Sequence, residues 1–122
     1  MKWNIFILSL CPWCKVQIPV DVLPEEYNFY VYNSGAISNK GVCDGFEINK
    51  RLKADLSDWS YDVNTYAPSL KLVSDNISII CVKNNKIIIN YMTSDKKFVQ
   101  VSKLSPPLCD SLFVLLENYK KK

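Results

Sequence analysis

Residues 3–15 read "WNIFILSLCPWCK", an apolar run that ends on two cysteines separated by a proline and a tryptophan. The reading of this stretch decides the fold. Residues 3–10 are of strand length and almost uninterruptedly apolar, the pattern of a central strand buried on both faces. Pro12 then suits the first turn of a helix, where its missing N–H costs no hydrogen bond and its fixed φ is already helical. Lys15-Val16-Gln17-Ile18 prolongs that helix only briefly before Pro19 stops it. The predicted order is strand, Cys-x-x-Cys, short helix.

Two thiols at this spacing serve as a redox pair, as half of a zinc site, or as one end of a structural disulfide. With 122 residues, 48% hydrophobic and 22% charged, the chain has the profile of one soluble globular domain spanning residues 1–122. A domain of that size buries about two thirds of its unfolded surface, so its five cysteines are not required as staples. Their odd number fits a reduced, cytoplasmic protein better than a disulfide framework. Zinc needs four ligands, and the rest would have to come singly from Cys43, Cys81 and Cys109, because the chain has no histidine. Neither a metal nor a cofactor is expected. The missing histidine also excludes Cys/His and Ser/His catalysis.

The net charge of +3 is mild and concentrates in the Lys120-Lys121-Lys122 tail, so nucleic acid is not an expected partner. No apolar run approaches the roughly 20 residues that span a bilayer, and no membrane partner is expected. Lys2 ahead of an apolar run resembles the start of a signal peptide, but no small-x-small cleavage site follows. The sequon Asn76-Ile77-Ser78 is compatible with secretion without requiring it.

Further along, "YNFYVYN" (27–33) is rich in aromatic and β-branched residues and reads as a strand closed by Ser34-Gly35, followed by a loop. Ile48, Leu52 and Leu56 recur every fourth residue behind Asp44, which predicts a helix over about 45–57. "WSYDVNTYAPS" is loop-like. "SLKLV", "ISIICVK" and "KIIINYM" read as strands, the last two joined by a tight turn at Asn84-Asn85, with "KKFVQV" as an extension. Ser105 as N-cap, Pro106 at the first helical position and Leu108, Leu112, Leu115 and Tyr119 predict a helix over 106–120.

This order resembles the thioredoxin and glutaredoxin superfamily. "CPWCK" is similar to the Cys-Pro-aromatic-Cys active site of glutaredoxins, and "IICVKNNKII" with "SKLSPPLCDSLFVLLENY" resembles the last hairpin and helix of thioredoxins. The resemblance implies an α/β thioredoxin-like fold, with a central mixed sheet of about four strands, one extra allowed, and flanking helices. It also implies a thiol-disulfide oxidoreductase. Cys11 is then the nucleophile, its anion favoured by the helix N-terminus and by Lys15, and Cys14 the resolving thiol. Pro12 holds the turn and Trp13 offers an apolar face to a partner. The candidate cis-proline is Pro68, after Ala67. "INYMTSDKK" lacks the Gly-Gly with which glutaredoxins grip glutathione, so glutathione is not a supported ligand. The implied partners are a protein disulfide substrate and an electron donor.

Cys81 and Cys109 read as small core residues, whereas Cys43, in a loop beside Asp44, is the candidate for an additional reactive thiol. The aromatic cluster Tyr27, Phe29, Tyr30 and Tyr32 reads as strand packing. The alternative function is a non-catalytic thioredoxin-like interaction module whose cysteines are structural.

Overall fold

The computed structural model describes residues 15–83 and 86–120. Its elements are β1 (Glu26–Asn33), β2 (Ala36–Asp44), α1 (Phe46–Lys53), β3 (Ser60–Tyr61), β4 (Leu70–Val73), β5 (Ile77–Cys81), β6 (Lys86–Met92), β7 (Phe98–Leu104) and α2 (Pro106–Lys120), with a 3₁₀ turn at Val20–Val22.

Alternation of side chains builds the sheet. Tyr27 and Phe29 of β1, Leu70 and Leu72 of β4, Ile77 and Ile79 of β5, and Ile87, Ile89 and Tyr91 of β6 are buried at a spacing of two residues. That period puts one face of a pleated sheet on a core. Ile48 and Leu52 of α1 and Leu108, Leu112 and Leu116 of α2 join the same cluster, so both helices cover one face of the sheet. They pack on each other, and α2 also meets β2 and β6. Trp59, fully enclosed, closes the core near β3 and donates its indole N–H to the Asp55 carbonyl at 2.7 Å.

The strand order is β2-β1-β4-β5-β6-β7-β3, and every pairing is antiparallel. This corrects the expected thioredoxin-like architecture: among the described residues, one seven-stranded antiparallel sheet with two α-helices replaces a mixed sheet of about four strands flanked by helices. Two local causes are visible. Ser34 and Gly35 both have positive φ, 54° and 84°, the two-residue turn whose twist suits a hairpin. β1 therefore returns at once as β2, where a parallel neighbour would need a crossover of a dozen or more residues. The second cause lies after Lys15, where no helix begins. Val16 instead exchanges two backbone hydrogen bonds with Trp59, at 2.6 and 3.1 Å, as an isolated antiparallel bridge. The strand read over 3–10 lies outside the described residues.

Other elements follow their local signals. α2 spans the predicted residues, with the Cys109 N–H on the Ser105 carbonyl at 3.2 Å. β5 and β6 form the expected hairpin, whose turn at Asn84-Asn85 lies outside the described residues. α1 ends at Lys53, short of Leu56, whose carbonyl accepts the Ile18 N–H at 2.9 Å and so serves a non-helical contact.

Candidate functional site

The four residues of the Cys-Pro-Trp-Cys motif, Cys11, Pro12, Trp13 and Cys14, lie outside the described residues. Lys15 is the first one described; it is exposed, and its Nζ donates to Ser60 Oγ at 3.2 Å. The extended backbone that follows corrects the expectation that residues 15–18 continue a helix, so these residues supply no helix dipole to Cys11. Pro68 is half-buried in the irregular stretch before β4, and no peptide bond among the described residues is cis, which removes it as a cis-proline.

Cys43 sits in β2, not in a loop, with its side chain buried opposite Tyr27. Burial first, and then the carboxylates of Asp44 and Glu26, push its thiol up to about 11. A thiol so enclosed stays protonated near neutrality, the form that is a poor nucleophile. Cys81 and Cys109, read as core residues, are indeed enclosed, and they are also paired as a disulfide with Cα atoms 6.0 Å apart. The pair ties the end of β5 to the first turn of α2. No spacing rule connects two cysteines this far apart, and the antiparallel meander is what brings them together.

A polar cluster unforeseen in the sequence lies against β6 and β7. Asp62 is only 8% exposed. One of its oxygens accepts from the Asn64 backbone N–H at 2.9 Å and the Asn64 amide at 3.1 Å, and the other from the Tyr66 hydroxyl at 2.7 Å. Lys86 Nζ stands 3.4 Å from that second oxygen and donates to the Tyr66 hydroxyl at 2.9 Å. Burial alone pushes the Asp62 carboxyl up, but the hydrogen bonds of Asn64, Ser102 and Tyr66 with the Lys86 charge outweigh it and hold it at about 2. A carboxylate so fully engaged is no general base. It pins the irregular stretch after β3 to the sheet, assisted by the Gln100 amide, which donates to the carbonyls of Asp62 and Asn64 at 2.8 Å each.

The other end of the sheet carries the outermost strand among the described residues. β2 is an edge strand of nine residues, and its orientation follows from β1. Tyr32 gives its N–H to Ser69, beside β4, so the even-numbered residues of β1 address β4 and the odd-numbered ones address β2. Their β2 partners are Cys43, Gly41 and Asn39. The intervening Lys40 and Val42 therefore direct backbone N–H and C=O outward, about 7 Å apart along the strand. Gly41 admits the Phe29 ring beneath the strand, since a Cβ there would lie 3.0 Å from two ring atoms.

This edge runs into an open groove where Leu23, Val42 and Phe46 supply apolar surface and Glu25, Lys50 and Lys53 supply charge. Val42 is 53% and Phe46 67% exposed. Asn49 lines the groove and is held from both sides: the buried Tyr27 hydroxyl donates to its Oδ1 at 2.7 Å, and its amide donates to the Pro24 carbonyl. Gly45 joins β2 to α1 where a Cβ would stand 2.8 Å from that same carbonyl. The sequence signal for the edge was the Ser-Gly pair, which marks a hairpin when another strand follows.

Among the described residues no three His, Cys, Asp or Glu side chains gather to hold a metal ion, and no helix is long and apolar enough to cross a membrane. No protein-family model, curated protein or solved structure matches the chain.

Proposed function

We propose that this chain is a non-catalytic protein-interaction module that takes an extended segment of another protein along the open edge of β2. The observation that carries the reading is the outward main chain at Lys40 and Val42, leading into the groove beside Phe46. Strand addition of this kind draws affinity from main-chain hydrogen bonds and specificity from pockets for alternate side chains. Two outward residues offer up to four such bonds, each worth about 0.5–1.5 kcal/mol net. The buried Asp62 cluster and the Cys81–Cys109 pair are framework in this reading.

The test is selection of a displayed random-peptide library on the purified chain, followed by fluorescence anisotropy of the winners. Lys40→Pro removes one outward N–H while sparing the ladder to β1. Peptides with alternating apolar residues that bind at least tenfold more weakly to Lys40→Pro, at unchanged fold, support the reading. Equal binding to both proteins, or no enrichment, overturns it.

A second reading rests on the Cys-Pro-Trp-Cys spacing and on Lys15, whose ammonium is one residue from Cys14: thiol-disulfide exchange with Cys11 as nucleophile and Cys14 as resolving thiol, on a protein disulfide and with an electron donor. Redox titration with alkylation and peptide mass mapping tests it. Cys11 and Cys14 passing together from two labels to none at one midpoint supports exchange. Labelling of both across the whole range refutes it.

A further inference from the structure

An odd cysteine count speaks for a reduced compartment but does not exclude a disulfide among some of the five. Cys43 is a free thiol buried in β2, whereas Cys81 and Cys109 are joined across the core. A disulfide between two fully buried cysteines on β5 and α2 belongs to a chain that folds where thiols are oxidised. A second feature, elsewhere in the fold, points the same way. In the sequon Asn76-Ile77-Ser78, Asn76 ends the turn between β4 and β5, held by the Ser74 N–H on the Ile77 carbonyl at 2.8 Å, while Ile77 and Ser78 are the first two residues of β5. Asn76 is exposed there, its backbone carbonyl taken by the Met92 N–H at 2.9 Å while its side chain faces solvent. Ile77, by contrast, is buried as the first residue of β5. A bulky polar group on Asn76 is therefore accommodated without disturbing the core, which is the placement an acceptor asparagine needs.

We infer that this chain matures in the oxidising secretory pathway and carries an N-linked glycan on Asn76. The glycan bond forms between the Asn76 side-chain nitrogen and C1 of a pyrophosphate-activated oligosaccharide. The nitrogen gives up a proton and the pyrophosphate carrier departs. The Cys81–Cys109 bond forms as the two thiols pass two electrons and two protons to a small-molecule or protein disulfide, which is reduced to two thiols. The inference is independent of the peptide-binding reading, since Asn76 lies at the β4–β5 turn and the open edge is β2.

The experiment expresses residues 1–122 in a secreting eukaryotic cell and collects medium and cells separately. Expected is a product in the medium that loses the mass of one core glycan on endoglycosidase treatment. Asn76→Gln and Ser78→Ala abolish that shift and Ser78→Thr keeps it, so a folding defect in one variant is distinguishable from loss of the site. A non-reduced digest yields one peptide joining Cys81 to Cys109. The inference is overturned if the chain stays inside the cell without a glycan, if it is secreted with Asn76 unmodified, or if Cys81 and Cys109 alkylate as free thiols.

Discussion

Reduction of the Cys81–Cys109 bond removes a cross-link whose loop spans a sequence separation of 28. The chain-entropy relation for a loop of that size gives about 12 cal/mol/K, or about 3.6 kcal/mol at 25 °C, returned to the unfolded ensemble. With unfolding entropy near 2.1 cal/mol/K per residue, a chain of this length has a total near 250 cal/mol/K, so the loss lowers Tm by about 14 °C. The assay is thermal unfolding followed by circular dichroism, with and without a phosphine reductant, on the wild-type chain and on a variant carrying Cys81→Ala and Cys109→Ala. The wild type should fall by that amount under reductant, and the double variant should melt low in both conditions. Cys43, being unpaired, adds no reductant dependence of its own. A wild-type Tm that moves by less than about 3 °C on verified reduction refutes the entropic reasoning, since it corresponds to under about 1 kcal/mol.

Asp62, held at about 2 in the folded state against an unfolded value near 3.9, contributes stability that is present above pH 4 and is lost as pH falls through 2. Urea unfolding across that window should show a loss of about 2 kcal/mol in the wild type and a flatter profile in Asp62→Asn; parallel profiles would count against the cluster. Cys43, with its thiol raised to about 11 and buried, should resist iodoacetamide at pH 8 and react only at the rate of global unfolding, and prompt labelling of the native protein would contradict its placement. Leu112→Ala, at a fully enclosed position of α2, should cost about 2–5 kcal/mol by denaturant unfolding, and a cost under 1 kcal/mol would mean that α2 does not seat on the sheet as described.

The elements that were legible in the sequence are those whose signals are local. Pro106 behind Ser105, with leucines at helical spacing, marked α2 over about 106–120, and the runs "ISIICVK" and "KIIINYM" marked two adjacent antiparallel strands. β2 was missed because "AISNKGVCD" carries few β-forming residues. It is strand by virtue of the turn before it and of Phe29 seated against Gly41. The segment around Asp62 was legible only as a loop, because the contacts that tie it to the sheet come from Lys86, Gln100 and Ser102, distant residues of β6 and β7. The thioredoxin-like order failed at two joints: no helix begins after Lys15, and strand-like β1 suits a crossover or a hairpin equally well, with the two positive-φ residues at 34 and 35 choosing the hairpin.

The amino-acid sequence by itself determined which residues are apolar, at what period, and where Gly, Pro and Asn interrupt them. That settled most elements and the single core they share. The tertiary structure alone decided who neighbours whom: β1 beside β4, β3 beside β7, Cys81 against Cys109, and β2 outermost among the described strands. The physical reason is that a strand's propensity is satisfied by any partner with a free edge. The partner actually taken is the one that lets every apolar face close on the same core, a condition that exists only when the whole chain is folded.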